Sequence, residues 1–137
     1  MSVAAYAAAM EHSPSPSRSP AAVVDVARAL AAAAGGGDGA VWSLETDDLD
    51  ANLVRLGRAG VIGEHRNDEV DVVIVILGGD GVVTIDDARH DVGSQTIVCV
   101  PRGTTRGIVA GDDGLVYVTV HRRRRGLGIS GSRGASG

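Results

Sequence analysis

Residues 72–77 read Val-Val-Ile-Val-Ile-Leu, an unbroken aliphatic run in which every residue but the last is β-branched. Such side chains are stiff at χ1 and pack well on a pleated strand. At six residues the run is far short of the ~20 a membrane span needs. Successive strand side chains point to opposite faces, so both faces of this strand are apolar and both need cover. The interior of a barrel can cover one. A second sheet, an N-terminal helix or a partner subunit must cover the other.

The rest of the chain supplies the other strands. Short β-rich runs fall at 41–45, 51–56, 70–77, 82–85, 88–92, 95–100, 105–110 and 115–121. Between the later ones stand Gly-Gly-Asp-Gly, Asp-Asp, Pro-Arg-Gly and Gly-Asp-Asp-Gly, clusters that favour turns. Phe is absent and the chain has one Trp, so its core must be aliphatic. Eight short strands at hairpin spacing predict an all-β fold, a small antiparallel β-barrel or jelly roll spanning 41–126. Before it, residues 1–40 form an Ala/Ser/Pro/Gly-rich arm, flexible except for one helix at 20–34. Ser19 suits the N-cap of that helix, Pro20 its first position and Gly35 its end. The Ser/Pro stretch before it, and the Gly/Ser tail 127–137, have compositions that cannot bury a core.

Charge is uneven. Residues 41–91 are strongly acidic, while 122–137 hold five arginines and no carboxylate. An acidic body argues against nucleic-acid binding, which depends on neutralising phosphates. The arginine run reads as a solvated edge that discourages strand-to-strand aggregation. The single Cys99 allows no intramolecular disulfide and no Cys-based zinc cluster, and reads as a small buried residue. The Ala-rich start lacks the basic and apolar regions of a signal peptide. These features predict a cytoplasmic protein with no membrane contact.

The segment from His65 to Gly78 and the later Pro101-Arg-Gly-Thr-Thr-Arg106-Gly resemble the two motifs of the cupins, specifically small single-domain cupins of the type-2 conserved-barrel kind. In that family histidines and a glutamate hold a divalent metal inside a β-barrel. On this resemblance His65 stands at the first histidine position, Asn67 at the second, Asp71 at the glutamate position and Gly78 at the closing glycine. Pro101 and Gly103 match the proline–glycine turn, and Arg106 stands where the last histidine is expected. The ligand set is thus degenerate. Asn is a poor ligand for a transition metal, and Arg has no lone pair to give. The usual metal site is lost and no cofactor is expected.

Strand alternation puts Asp71 on one face with Val73, Val75 and Leu77, and that face is read as the inner one. If the family fold holds, Arg106 enters the same cavity. Asp71 and Arg106 then pair in the space a metal would fill, with His65 and Asn67 beside them. That arrangement suits a polar plug that stabilises the barrel, a pocket for a small anionic or carbonyl-bearing molecule, or a catalytic site. The leading reading is a metal-free ligand pocket lined by His65, Asn67, Asp71 and Arg106, in a homodimer. A second is a metal-dependent oxygenase, isomerase or cyclase with a relocated site of His65, Asp71 and His121. A third is a structural or regulatory dimer with no ligand. His121, ending the last strand, is otherwise read as a surface group. His90 reads as exposed, Trp42 as core, and Glu64, Asp68 and Glu69 as solvated.

Overall fold

The computed structural model describes residues 20–124. The expectations placed on 1–19, including the Ser19 cap, and on the tail 127–137 fall outside them. The described residues form one helix, α1 (Val26–Ala32), and seven strands. These are β1 (Gly39–Glu45), β2 (Leu49–Leu56), β3 (Val61–Arg66), β4 (Val72–Ile85), β5 (Ala88–Gly93), β6 (Thr96–Val100) and β7 (Thr105–Arg122). All pairings are antiparallel. The all-β expectation holds, with one short helix at the N-terminal side.

The helix is shorter than 20–34 and starts later. Asp25, not Ser19, is its N-cap, accepting a hydrogen bond from the Arg28 backbone N–H at 3.0 Å. The carboxylate takes an N–H that the first turn would leave unpaired. None of its residues is buried. What holds it is Arg55 of β2, whose guanidinium donates to the Ala33 carbonyl at 2.8 Å. That contact meets the last carbonyls with a cation, as the helix dipole favours.

Eight expected strands are seven. The runs 70–77 and 82–85 are one strand, β4, and 105–110 and 115–121 are one strand, β7. The Gly-Gly-Asp-Gly and Gly-Asp-Asp-Gly clusters between them are not turns but paired irregularities. Between the pairs Gly79↔Leu115 and Gly81↔Ala110, four residues of β7 stand against one of β4. Glycine is required there: Gly79 has φ +78°, and a Cβ on it would sit 2.1 Å from the Gly114 carbonyl oxygen. Gly/Asp clusters serve bulges as well as turns, so composition alone does not separate them. One strand, β3, falls in a segment not foreseen as strand; a bulge at Gly63–Glu64, between the pairs Ile62↔Ile108 and His65↔Arg106, interrupts its ladder.

The two long strands each serve two layers. The second half of β7 and the first half of β4 continue the order β1-β2-β7-β4 and carry β6 on the far side. Their other halves carry β3 and β5. Between the layers lies one aliphatic core that includes Val54, Leu56, Ile74, Ile76, Val83, Ile108 and Leu115. Thus the first half of β4 turns its even-numbered residues inward. Val72, Ile74 and Ile76 are buried, whereas Asp71, Val73 and Leu77 are exposed. The expected face is the wrong one. A run apolar on both sides carries no parity of its own, and a one-residue slip exchanges its faces.

Three further expectations are corrected by the same alternation. Trp42 is half-buried and pairs with Leu53, on the face of β2 opposite the core residues Val54 and Leu56. Cys99 is exposed, because its neighbours Val98 and Val100 face the core. His121 is buried, with 7% of its surface accessible. His90 is exposed as expected. The arginines at the end of β7 brace adjacent loops: Arg122 donates to the Glu69 carbonyl and Arg123 to the Thr46 carbonyl. Among the described residues no helix is long and apolar enough to cross a membrane.

Candidate functional site

The strands bring His65 and Arg106 together as register partners on β3 and β7. Arg106 lies inside, with 5% of its surface accessible, and its Nη2 donates to His65 Nε2 at 3.0 Å. A guanidinium can only donate, so Nε2 must hold a lone pair and the imidazole proton sits on Nδ1. The Gly63 carbonyl lies 3.5 Å from Nδ1, on the side where a proton can be shared. Protonating Nε2 would break the bond to Arg106. His65 is accordingly held below the ordinary imidazole range, first by burial and then by the Arg106 charge, with Arg124 adding to it and the Gly63 contact opposing. Burial also lowers Arg106. Burial pushes Tyr117 up to about 12, against the pull of Arg106.

These two side chains border a cavity of about 10 Å³, room for about one water. Its walls come from both layers and the loops joining them: Asn67 and Val70 before β4, Val72 on β4, Val100 and Pro101 at the end of β6, and Thr104 before β7. Asn67 is there, but its amide is occupied with the loop. Its Oδ1 accepts from the Glu69 and Val70 N–H groups, and its Nδ2 donates to the Val70 carbonyl. It shapes the turn that carries the chain into β4.

Asp71 is not part of this site. It faces outward and accepts from the Arg102 backbone N–H at 2.9 Å, holding the 101–104 turn. No ion pair joins it to Arg106 among the described residues. The expected Asp71–Arg106 pair is replaced by His65–Arg106, and the expected wall of Val73 and Val75 by Val70 and Val72. Both changes follow from the parity of β4. The alternative set His65, Asp71 and His121 is not gathered either; no three His, Cys, Asp or Glu side chains come together to hold a metal ion among the described residues. Glu64 and Glu69 flank the site without lining it, and Asp68 pairs with Arg66 at the surface.

Strand alternation sets Tyr117 and Thr119 on the face of His121, but the sequence alone did not show that this stripe of β7 is buried. Tyr117, Thr119 and His121 alternate onto one face, and all three are buried. On β2 they pair with Val54, Asn52 and Asp50, and on β4 with Ile76, Ile74 and Val72. The signal was available in the alternation of Leu-Val-Tyr-Val-Thr-Val-His, but polar residues on an inner face read as outward until the core is placed.

No family profile matches the chain, and no curated protein matches it. Solved structures do. The cupin domain of Cnp3 from Schizosaccharomyces pombe is 20% identical, with a TM-score of 0.56 over 59% of this chain and 61% of that one. An uncharacterised Klebsiella pneumoniae protein with a double-stranded β-helix domain is 14% identical, with a TM-score of 0.67 over 77% of this chain and 93% of that one. A cupin-2 domain protein from Shewanella frigidimarina is 14% identical, with a TM-score of 0.61 over 74% and 95%. This chain thus spans less than two thirds of the Cnp3 structure but nearly all of the two bacterial ones.

Proposed function

On this cupin-type, double-stranded β-helix fold, we propose a metal-free pocket that binds the anionic or carbonyl head of a small molecule. The observation that carries it is Arg106, a buried cation beside a cavity and held in place by His65. A guanidinium beside a cavity can donate charge-assisted hydrogen bonds to an entering carboxylate or phosphate oxygen. Arg124, close enough to oppose protonation of His65, adds to the positive potential. The small cavity limits what enters to one head group, with the remainder of the molecule at the barrel mouth.

The donor set supports the absence of a metal. The Nε2 lone pair of His65 accepts from a guanidinium, the Asn67 carbonyl oxygen serves two backbone N–H groups, and Arg106 brings a cation into the space. Those residues do not fit a divalent ion. The same tightness favours a second reading, in which the pair is a plug that only stabilises the barrel.

The proposal includes a cytoplasmic homodimer. The outer face of β4 and β6 presents Val73, Leu77 and Ile97, the last 70% accessible, and a second copy would cover it. Sedimentation velocity checks this by a dimer that Ile97→Glu dissociates.

Titration of the chain with acetate and inorganic phosphate, followed by the His65 imidazole NMR signals, tests the pocket. Saturable shifts that vanish in Arg106→Met support it. No shift with either anion at millimolar concentration leaves the plug.

A further inference from the structure

The sheet made of β1, β2, β7, β4 and β6 turns its second face away from the core, and the middle of that face is apolar. One register row crosses all five strands as Trp42, Leu53, Val118, Val75 and Ile97, and the next as Leu44, Ala51, Val120, Val73 and Cys99. Neither row holds a charged side chain. Burial falls away along the first row. Leu53 on β2 is 1% accessible, Val118 and Val75 are half-buried, and Ile97 on β6 is 70% accessible. The face is covered at one end and open at the other.

The helix α1 lies over the covered end. Arg55, two residues beyond Leu53 on the same face of β2, ties it there through the Leu30, Ala33 and Gly36 carbonyls. Val26, Ala29 and Leu30 are half-buried, and Ala32 borders a groove with Ala40 and Val41 of β1. At about 100° per residue, Ala27 and Ala31 fall on the opposite flank, toward β7 and β4, and both are exposed.

A helix is about 10 Å across, the same depth that separates two packed sheets. Over β1 and β2, α1 therefore fills the layer that the sheet of a second copy would need. This restricts how two copies can meet face to face. A two-fold axis across the strands lays β1 on β1 and drives each α1 into the facing sheet. An axis along the strands reverses the strand order. Then β7, β4 and β6 of one copy lie on β6, β4 and β7 of the other, and each α1 falls beside the second copy's β6. Among the described residues β6 pairs only with β4, so its outer edge is open to that contact.

We propose that the homodimer forms about this axis, with the Ala27–Ala31 flank of α1 in each copy closing against Ile97 and Cys99 of β6 in the other. This rests on the dimer reading above and adds what the second copy supplies, a helix that covers the open end of the face. The helix gains as well. Seven residues with none buried are marginal alone, and the contact gives α1 a second wall.

Disulfide trapping in the full chain tests the arrangement, with Ala27→Cys or Ala31→Cys supplying one thiol and the native Cys99 the other. Within one copy α1 and β6 stand at least three strand spacings apart, roughly 14 Å, beyond the ~7 Å a disulfide allows between Cα atoms. Mild oxidation with copper–phenanthroline should give a covalent dimer in at least one variant, with peptide mapping joining the new thiol to Cys99. Adding Cys99→Ser or Ile97→Glu should abolish that link. Sedimentation velocity of the parent chain separates the two readings. If the parent is a dimer and neither variant gives the link, the arrangement is wrong and the dimer stands. If the parent is a monomer, both fall. A link to Cys99 inside one chain also overturns the arrangement, because α1 then covers its own β6.

Discussion

The Arg106–His65 pair allows a prediction in which opposing magnitudes decide the sign. Replacing Arg106 with Met keeps most of the aliphatic stem in the core and deletes the charge. The loss includes the hydrogen bond to His65 from a charged donor, about 1.5–3 kcal/mol. The gain is relief from holding a cation at 5% accessibility, where the effective desolvation penalty is itself several kcal/mol. The bond lost to His65 leaves a neutral imidazole behind, and Asp71 stays occupied with the Arg102 N–H. Arg106→Met should therefore stay within about 1.5 kcal/mol of the parent. Arg106→Ala also removes the stem, with ~0.8 kcal/mol lost per buried methylene and a cavity term besides, and should lose about 2–4 kcal/mol. Urea unfolding at pH 8, where His65 is neutral in every variant, reads both numbers if the m-values agree. A Met variant as unstable as the Ala variant would refute the reasoning, since the guanidinium's polar contacts would then hold the barrel more strongly than its burial opposes it.

Two more outcomes follow from the same structure. His65 titrates below its ordinary value of 6.5, so the folded state binds fewer protons than the unfolded state there; stability is fully present above that value and declines as pH falls through it toward the folded value. His65→Gln, whose amide oxygen can still accept from Arg106, should flatten that part of the urea-midpoint profile between pH 7.5 and about 5, and an unchanged slope would assign it to other groups. Gly79→Ala, with φ +78° and a Cβ 2.1 Å from the Gly114 oxygen, should lose about 3 kcal/mol or more or fail to fold, whereas Gly63→Ala, with nothing within 4 Å, should fold with a melting temperature close to the parent's.

The β class of this chain is legible residue by residue. The run Val72–Leu77, the alternation in β2, β6 and β7, and the absence of Phe leave little but a small aliphatic barrel, and the motif around His65 and Pro101–Arg106 points to the cupin type. Local chemistry also placed most strand starts, because steric propensity and turn residues act over a few positions. That Arg106 and His65 meet in one cavity was likewise expected, as the resemblance to the cupin motifs implies it.

What tertiary structure alone decided is everything that depends on which face looks inward. Val72, Ile74 and Ile76 could have changed places with Val73, Val75 and Leu77 at no cost in local propensity. Only the packing of β4 against β7 and β6 chose between them. That choice sends Asp71 to the surface, gives Arg106 an imidazole in place of a carboxylate, buries His121 and exposes Cys99. The same long-range packing turns two glycine clusters from chain reversals into bulges where β4 and β7 approach too closely for a side chain. A doubly apolar strand states that it will be buried, but its orientation is a property of the neighbours that bury it.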